Sequence, residues 1–113
     1  MLLEKTRQEF VKVLLIARQV MIDRMERMQL EKTREEFVKG LRIIIKEGYS
    51  SQTVTKYAFN FYLNHKLSDK ELYDLVYEIM MIDAGPEFEL SEIELIKLVE
   101  DKLGINIRDT QEE

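Results

Sequence analysis

Over the first 47 residues, apolar side chains return every three, four or seven positions: Leu3, Phe10, Leu14, Ala17, Met21 and Met28, then Leu30, Phe37, Leu41, Ile44 and Ile45. That interval matches the turn of an α-helix, so each set predicts an amphipathic helix with one buried face. The two sets belong to a duplication. LEKTRQEFVK at 3–12 returns as LEKTREEFVK at 30–39, with nine of ten positions identical and a period of 27. Looser pairing extends outward, matching Met1 with Met28, Leu14 with Leu41 and Ile16 with Ile43. Two copies are too few for a solenoid, which needs at least three stacked repeats. The pattern reads as one duplicated helical segment, and residues 28–113 as a unit to which 1–27 was added.

At about 100° per residue, a 27-residue shift leaves the copies about half a turn out of phase. Either the chain folds back near Arg27 to Leu30 and both stripes meet one core, or a single long helix offers them to different partners. Residues 24–29 contain no Gly, Pro, Ser, Thr, Asn or Asp, which argues against a tight turn. An unbroken helix from Leu3 to Glu47 would run roughly 65 Å, more than a core of this size can cover. A homodimer is then expected. Val11, Leu15 and Ile22 fall off the narrow first stripe and, with Phe59 further along, form the candidate self-interface.

Three shorter helices are predicted after Gly48, whose position suits a helix C-terminus. The first, over 50–65, carries Val54, Tyr57, Ala58, Phe61 and Tyr62 on its apolar side, with Phe59 on another face. The second spans 69–82 with the stripe Leu72, Leu75, Val76, Ile79 and Met80, and ends before Gly85-Pro86. The third spans 92–103 with Ile93, Ile96, Val99 and Leu103, and ends at Gly104. Ser68 with Glu71, and Ser91 with Glu94, have the spacing of reciprocal N-terminal capping boxes. Ile105 and Ile107 are expected to pack back on the bundle, leaving 108–113 as a polar tail. The fold expected is all-α, a small helical bundle forming a single domain over 1–107.

Composition narrows the chemistry. With 113 residues the chain is one domain's length, and 45% hydrophobic with 35% charged residues suits a globular fold. The absence of Cys and the single His remove disulfide scaffolds, thiol nucleophiles and the usual zinc ligand sets. The longest apolar run, Val13 to Ala17, is far below the roughly 20 residues of a membrane span. Glu4 and Glu9 interrupt any signal-peptide pattern, so no membrane association is expected and the protein reads as cytoplasmic.

Charge is uneven: residues 1–47 carry a net +3 and residues 48–113 a net −8. Asp69, Glu71, Asp74, Glu78, Glu92, Glu94 and Asp101 therefore form a candidate surface for a basic protein partner, as in an acidic inhibitor or immunity-type protein. Solvated faces and short-range ion pairs explain the same residues without a partner. A helix-turn-helix could be drawn through 66–68, yet its second helix would put Asp69, Glu71, Asp74 and Glu78 against Lys70, the wrong sign for phosphate, so no nucleic acid is expected. The carboxylates Asp83, Glu87 and Glu89 are the main catalytic material, and their spacing alone does not make an acid–base pair. His65 reads as an end-of-helix residue, and Ser50 and Ser51 as helix initiators. The sequence thus points to a non-catalytic interaction or regulatory protein, a homodimer first, with no cofactor and no metal.

Overall fold

The computed structural model describes residues 2–108, with side chains from residue 6 onward. Four α-helices follow in order: α1 over Leu2–Glu47, α2 over Ser51–Asn64, α3 over Lys70–Met80 and α4 over Glu92–Leu103. The fold is the expected all-α arrangement of one long N-terminal helix and three shorter ones. The region without turn-forming residues around 24–29 stays helical, which resolves the choice between hairpin and single helix in favour of the latter. The chain divides between Lys32 and Thr33 into two compact units. The described part of the first, residues 2–32, is helix alone.

The second unit holds the hydrophobic core. From α1 come Phe37, Val38 and Leu41; from α2, Val54, Ala58 and Phe61; from α3, Leu72, Leu75, Val76 and Ile79; from α4, Leu95, Val99 and Leu103. Ile107 is buried and Ile105 half-buried, so the segment after α4 packs back as expected. Arg42 secures it, donating from Nε to the Ile107 carbonyl at 3.1 Å. Arg108 belongs to this ordered part: it pairs with Glu92 at 2.9 Å, so the expected polar tail does not begin there. The rest of that tail, 109–113, lies outside the described residues.

Helix ends follow local chemistry. Ser50 caps α2 by accepting from the Thr53 N–H. Ser91 and Glu94 form the complete capping box on α4, each side chain satisfying the other residue's backbone N–H. Gly104 ends α4 in the left-handed conformation at φ 71°. The α3 start differs from expectation: Asp69, rather than Ser68, is the N-cap and accepts from the Leu72 N–H. The Ser68–Glu71 box is not formed because Asp69 is drawn inward by Arg34 of α1, which donates to both its carboxylate oxygens. The Met81–Leu90 connection contains two single 3-10 turns, Ile82–Ala84 and Pro86–Phe88, and is anchored by the Tyr49 hydroxyl, which donates to the Leu90 carbonyl at 2.7 Å.

Gly40 sets the approach of α1 and α2. A Cβ at this position would stand 2.1 Å from the Tyr57 hydroxyl oxygen. The missing side chain lets Tyr57 lie across α1, where its hydroxyl donates to the Phe37 carbonyl at 3.0 Å and its ring stacks on Phe37 at 5.3 Å. Phe61 adds a second contact with Phe37 at 4.9 Å. Gly40→Ala removes a helix-weakening glycine but overfills this junction, and the net expectation is a loss of about 1–2 kcal/mol. In a Tyr57→Ala background the same substitution should instead stabilise by up to about 1 kcal/mol. A denaturant double-mutant cycle checks that reversal of sign.

Three apolar expectations need correction. Ile93 is 71% exposed, and Leu95 takes the core position on α4. Tyr62 lies on the exposed side of α2 rather than in the core. The first-copy stripe is not buried: Phe10, Leu14, Ala17, Met21 and Met28 are all exposed, while the Leu3 side chain is outside the described set. Its periodicity makes a helix, but nothing in the chain's described part covers it.

Candidate functional site

Residues 6–29 of α1 contain no buried or half-buried side chain. Phe10, Val11, Val13, Leu14, Leu15, Ile16, Val20, Met21, Ile22, Met25 and Met28 all stand exposed there. Projected at about 100° per residue, all of these except Ile16 fall, with Ala17, within roughly 220° of the helix circumference, an arc that also holds Thr6, Arg7, Arg18, Arg24 and Gln29. Val11, Leu15 and Ile22, chosen from sequence as self-interface residues, form the part of this arc beyond Arg18. The far side carries Gln8, Glu9, Lys12, Gln19, Asp23, Glu26 and Arg27 around the exposed Ile16, with a Gln19–Asp23 side-chain hydrogen bond at 3.0 Å. A broad exposed apolar surface of this kind, here broken by Arg7, Arg18 and Arg24, marks an interaction face.

The duplication supplies an internal comparison. Phe37 is 0% exposed and Phe10 is 64% exposed, although each stands in the same Glu-Phe-Val-Lys context. The copies differ where the second one docks. Val13 stands at the place of Gly40, Leu15 at that of Arg42 and Arg18 at that of Ile45. The first copy therefore keeps the apolar anchors but lacks the gap for Tyr57 and the arginine that holds the 105–107 segment.

The acidic surface is largely engaged within the chain. Asp69 is 5% exposed, so it is no part of an accessible surface; it is the inward cap paired with Arg34. Hydrogen bonding from Arg34 holds its carboxyl below the ordinary value against the opposing effect of burial. Glu71 reaches the same guanidinium at 3.5 Å. Asp74 pairs with Lys70 at 2.9 Å, and that bond raises the lysine pKa. Glu78 pairs with Lys102 at 3.2 Å, Glu92 with Arg108, and Glu94 completes its cap. Asp101 is exposed. Short-range pairing accounts for most of the set, which is the partner-free explanation of the charge.

Phe59, the remaining self-interface candidate, is exposed on α2 beside Thr55, Lys56, Met80 and Asp83. Two features were not foreseen. Tyr62, Tyr73 and Tyr77 form an exposed ladder, with ring centroids 6.1 and 6.4 Å apart in succession. Their i, i+4 spacing on α3 was visible, but the pairing of Tyr62 across to that helix was not. A groove of about 950 Å³ has Val38, Ile43, Ile45, Ile105 and Ile107 as its apolar lining, with Lys39, Arg42, Lys46, Arg108 and Glu35 around them.

The other titratable groups serve packing. Burial, reinforced by nearby Glu36, pushes the Tyr57 hydroxyl up to about 12, and burial also raises Tyr49. His65 stacks on Phe61 at 3.8 Å and places Nε2 3.5 Å from Glu36, at the end of α2. Among the described residues no group of three or more His, Cys, Asp or Glu side chains is placed to hold a metal, and no helix is long and apolar enough to cross a membrane. No family model matches the chain, and comparisons with curated proteins and with solved structures likewise return no match.

Proposed function

We propose that this is a non-catalytic interaction or regulatory protein that acts in a self-associated form through residues 6–29 of α1. The homodimer expected from sequence is the smallest such assembly. The observation that carries the reading is the uninterrupted exposure of eleven large apolar side chains in that segment. Helices with an apolar face gain most of their stability from packing it, so such a segment is held in its helical form by a partner. The alternative, an acidic binder of a basic surface, draws less support because its carboxylates are mostly consumed in local pairs and caps.

Sedimentation of the full chain over a wide concentration range tests the reading. The wild type is expected to sediment well above its 13.5 kDa chain mass. Leu14→Asp combined with Met21→Asp should return it to that mass while leaving the unfolding of the second unit unchanged, since neither residue belongs to the core. A wild type that remains at chain mass throughout overturns the proposal.

A further inference from the structure

The groove of about 950 Å³ lies wholly within the second unit, between α1 and the segment that follows α4. Arg42 reaches across from α1 and donates to the Ile107 carbonyl at 3.1 Å and the Asn106 carbonyl at 3.4 Å, so its side chain fixes the spacing of the two walls. The apolar lining is entirely branched aliphatic: Val38, Ile43 and Ile45 from α1, with Ile105 and Ile107 opposite. Along α1 the groove runs from Glu35 to Lys46, roughly 16 Å at 1.5 Å per residue. Its rim carries nearly one sign of charge, Lys39, Arg42, Lys46 and Arg108 against Glu35. Arg108 is paired with Glu92, whereas among the described residues no carboxylate pairs with Lys39 or Lys46. Those two lysines are seven residues apart and share one edge of α1, two turns from each other. The hollow beside Phe59 has no such excess, because Lys56 there is matched by Asp83.

The geometry points to this groove as the binding site of an anionic amphiphile of the fatty-acid type, a single aliphatic chain ending in a carboxylate. The chain lies along the isoleucines, and the carboxylate sits at the lysine edge. An apolar concavity of this volume with a few charged groups at its border has the character of a small-molecule site. A helix from a protein partner fits less well, since grooves that take one are rich in aromatic residues and Met, and this lining has neither. A nucleotide would lack a ring to stack on. Segment 6–29 of another copy is a poor occupant as well: it carries five Lys/Arg against three Asp/Glu, the same sign as the rim. The site lies apart from the face assigned to self-association, so either reading can fail without the other.

Isoleucine-methyl NMR of the full chain, titrated with dodecanoate below its micellar concentration, tests this. Ile43, Ile45, Ile105 and Ile107 should shift together and saturate at one ligand per chain, while Ile16 and Ile22 on the exposed part of α1 stay in place. Dodecyltrimethylammonium, with the same chain and the opposite charge, should bind about ten-fold more weakly. Lys39→Gln/Lys46→Gln should weaken dodecanoate about ten-fold and leave the urea midpoint unchanged, because both lysines are exposed and outside the core. Groove methyls that do not move, equal binding of the two probes, or a double variant with wild-type affinity each overturn the proposal. Shifts that begin at Ile16 and Ile22 overturn it too, since the amphiphile then coats the exposed helix. A synthetic Leu/Glu amphipathic helical peptide that moves the groove methyls where dodecanoate does not would make this a protein-docking groove instead.

Discussion

Phe37→Ala is expected to destabilise the second unit by about 3–5 kcal/mol, while Phe10→Ala leaves its stability unchanged within about 0.5 kcal/mol. The two phenylalanines are equivalent members of the duplicated decapeptide, and intrinsic helix propensity cannot separate them. Packing separates them. Phe37 is fully buried, stacks on Tyr57 and touches Phe61 at 4.9 Å, so truncation removes a ring from a three-aromatic cluster and leaves a cavity. Phe10 has no such cluster and is mostly exposed. Its truncation should act on assembly, lowering the concentration-dependent mass in sedimentation. Urea unfolding followed by tyrosine fluorescence reads the first effect, because every tyrosine reports on the second unit. Equal losses for the two variants would contradict the division of roles between the copies.

The contrast also marks what the sequence could disclose. Periodicity and end signals are local, and they located all four helices: Ser50 and Ser91 start α2 and α4, Gly104 ends α4, and the lack of any breaker near Met28 keeps α1 whole. Which stripe becomes core is a tertiary decision. The same apolar spacing at 10–14 and 37–41 reaches opposite burial, because only the second copy has Gly40 to admit Tyr57 and Arg42 to hold Ile107. Glycine inside a helix costs about 1 kcal/mol and usually has a packing reason, so Gly40 was a usable signal. Its partner 17 residues away was not legible. The same limit applies at 68–72, where Ser68 with Glu71 offered a local box one residue ahead of the cap that formed. Arg34, 35 residues distant, decides between them by bonding Asp69. Acidic excess in the C-terminal half was equally plain from composition, but its consumption in pairs with Lys70, Lys102 and Arg108 depended on packing.

Asp69→Ala should cost about 2–3 kcal/mol, although no apolar side chain is removed from the core. Two contributions combine. Loss of the N-cap leaves the Leu72 N–H without its acceptor, worth about 1 kcal/mol. Loss of the carboxylate also strips Arg34 of its bidentate partner; because that side chain is 27% exposed, water offsets part of the penalty and the total stays below that of a fully buried pair. Asp69→Asn separates the contributions, since asparagine caps helices as well as aspartate but carries no charge. It should lose about half as much. The pH dependence follows from the same geometry. Asp69 titrates below its ordinary value of 3.8 in the folded chain, so its ion pair stabilises the fold fully above that value and is lost as pH falls through the lower folded value. Between neutral pH and about pH 5 this group should add no slope. Below pH 4 the wild type should lose stability faster than Asp69→Asn, and the two unfolding curves should converge. Parallel acid limbs in urea titrations of the two proteins would show that the Arg34–Asp69 pair does not supply the protonation-linked part of the stability.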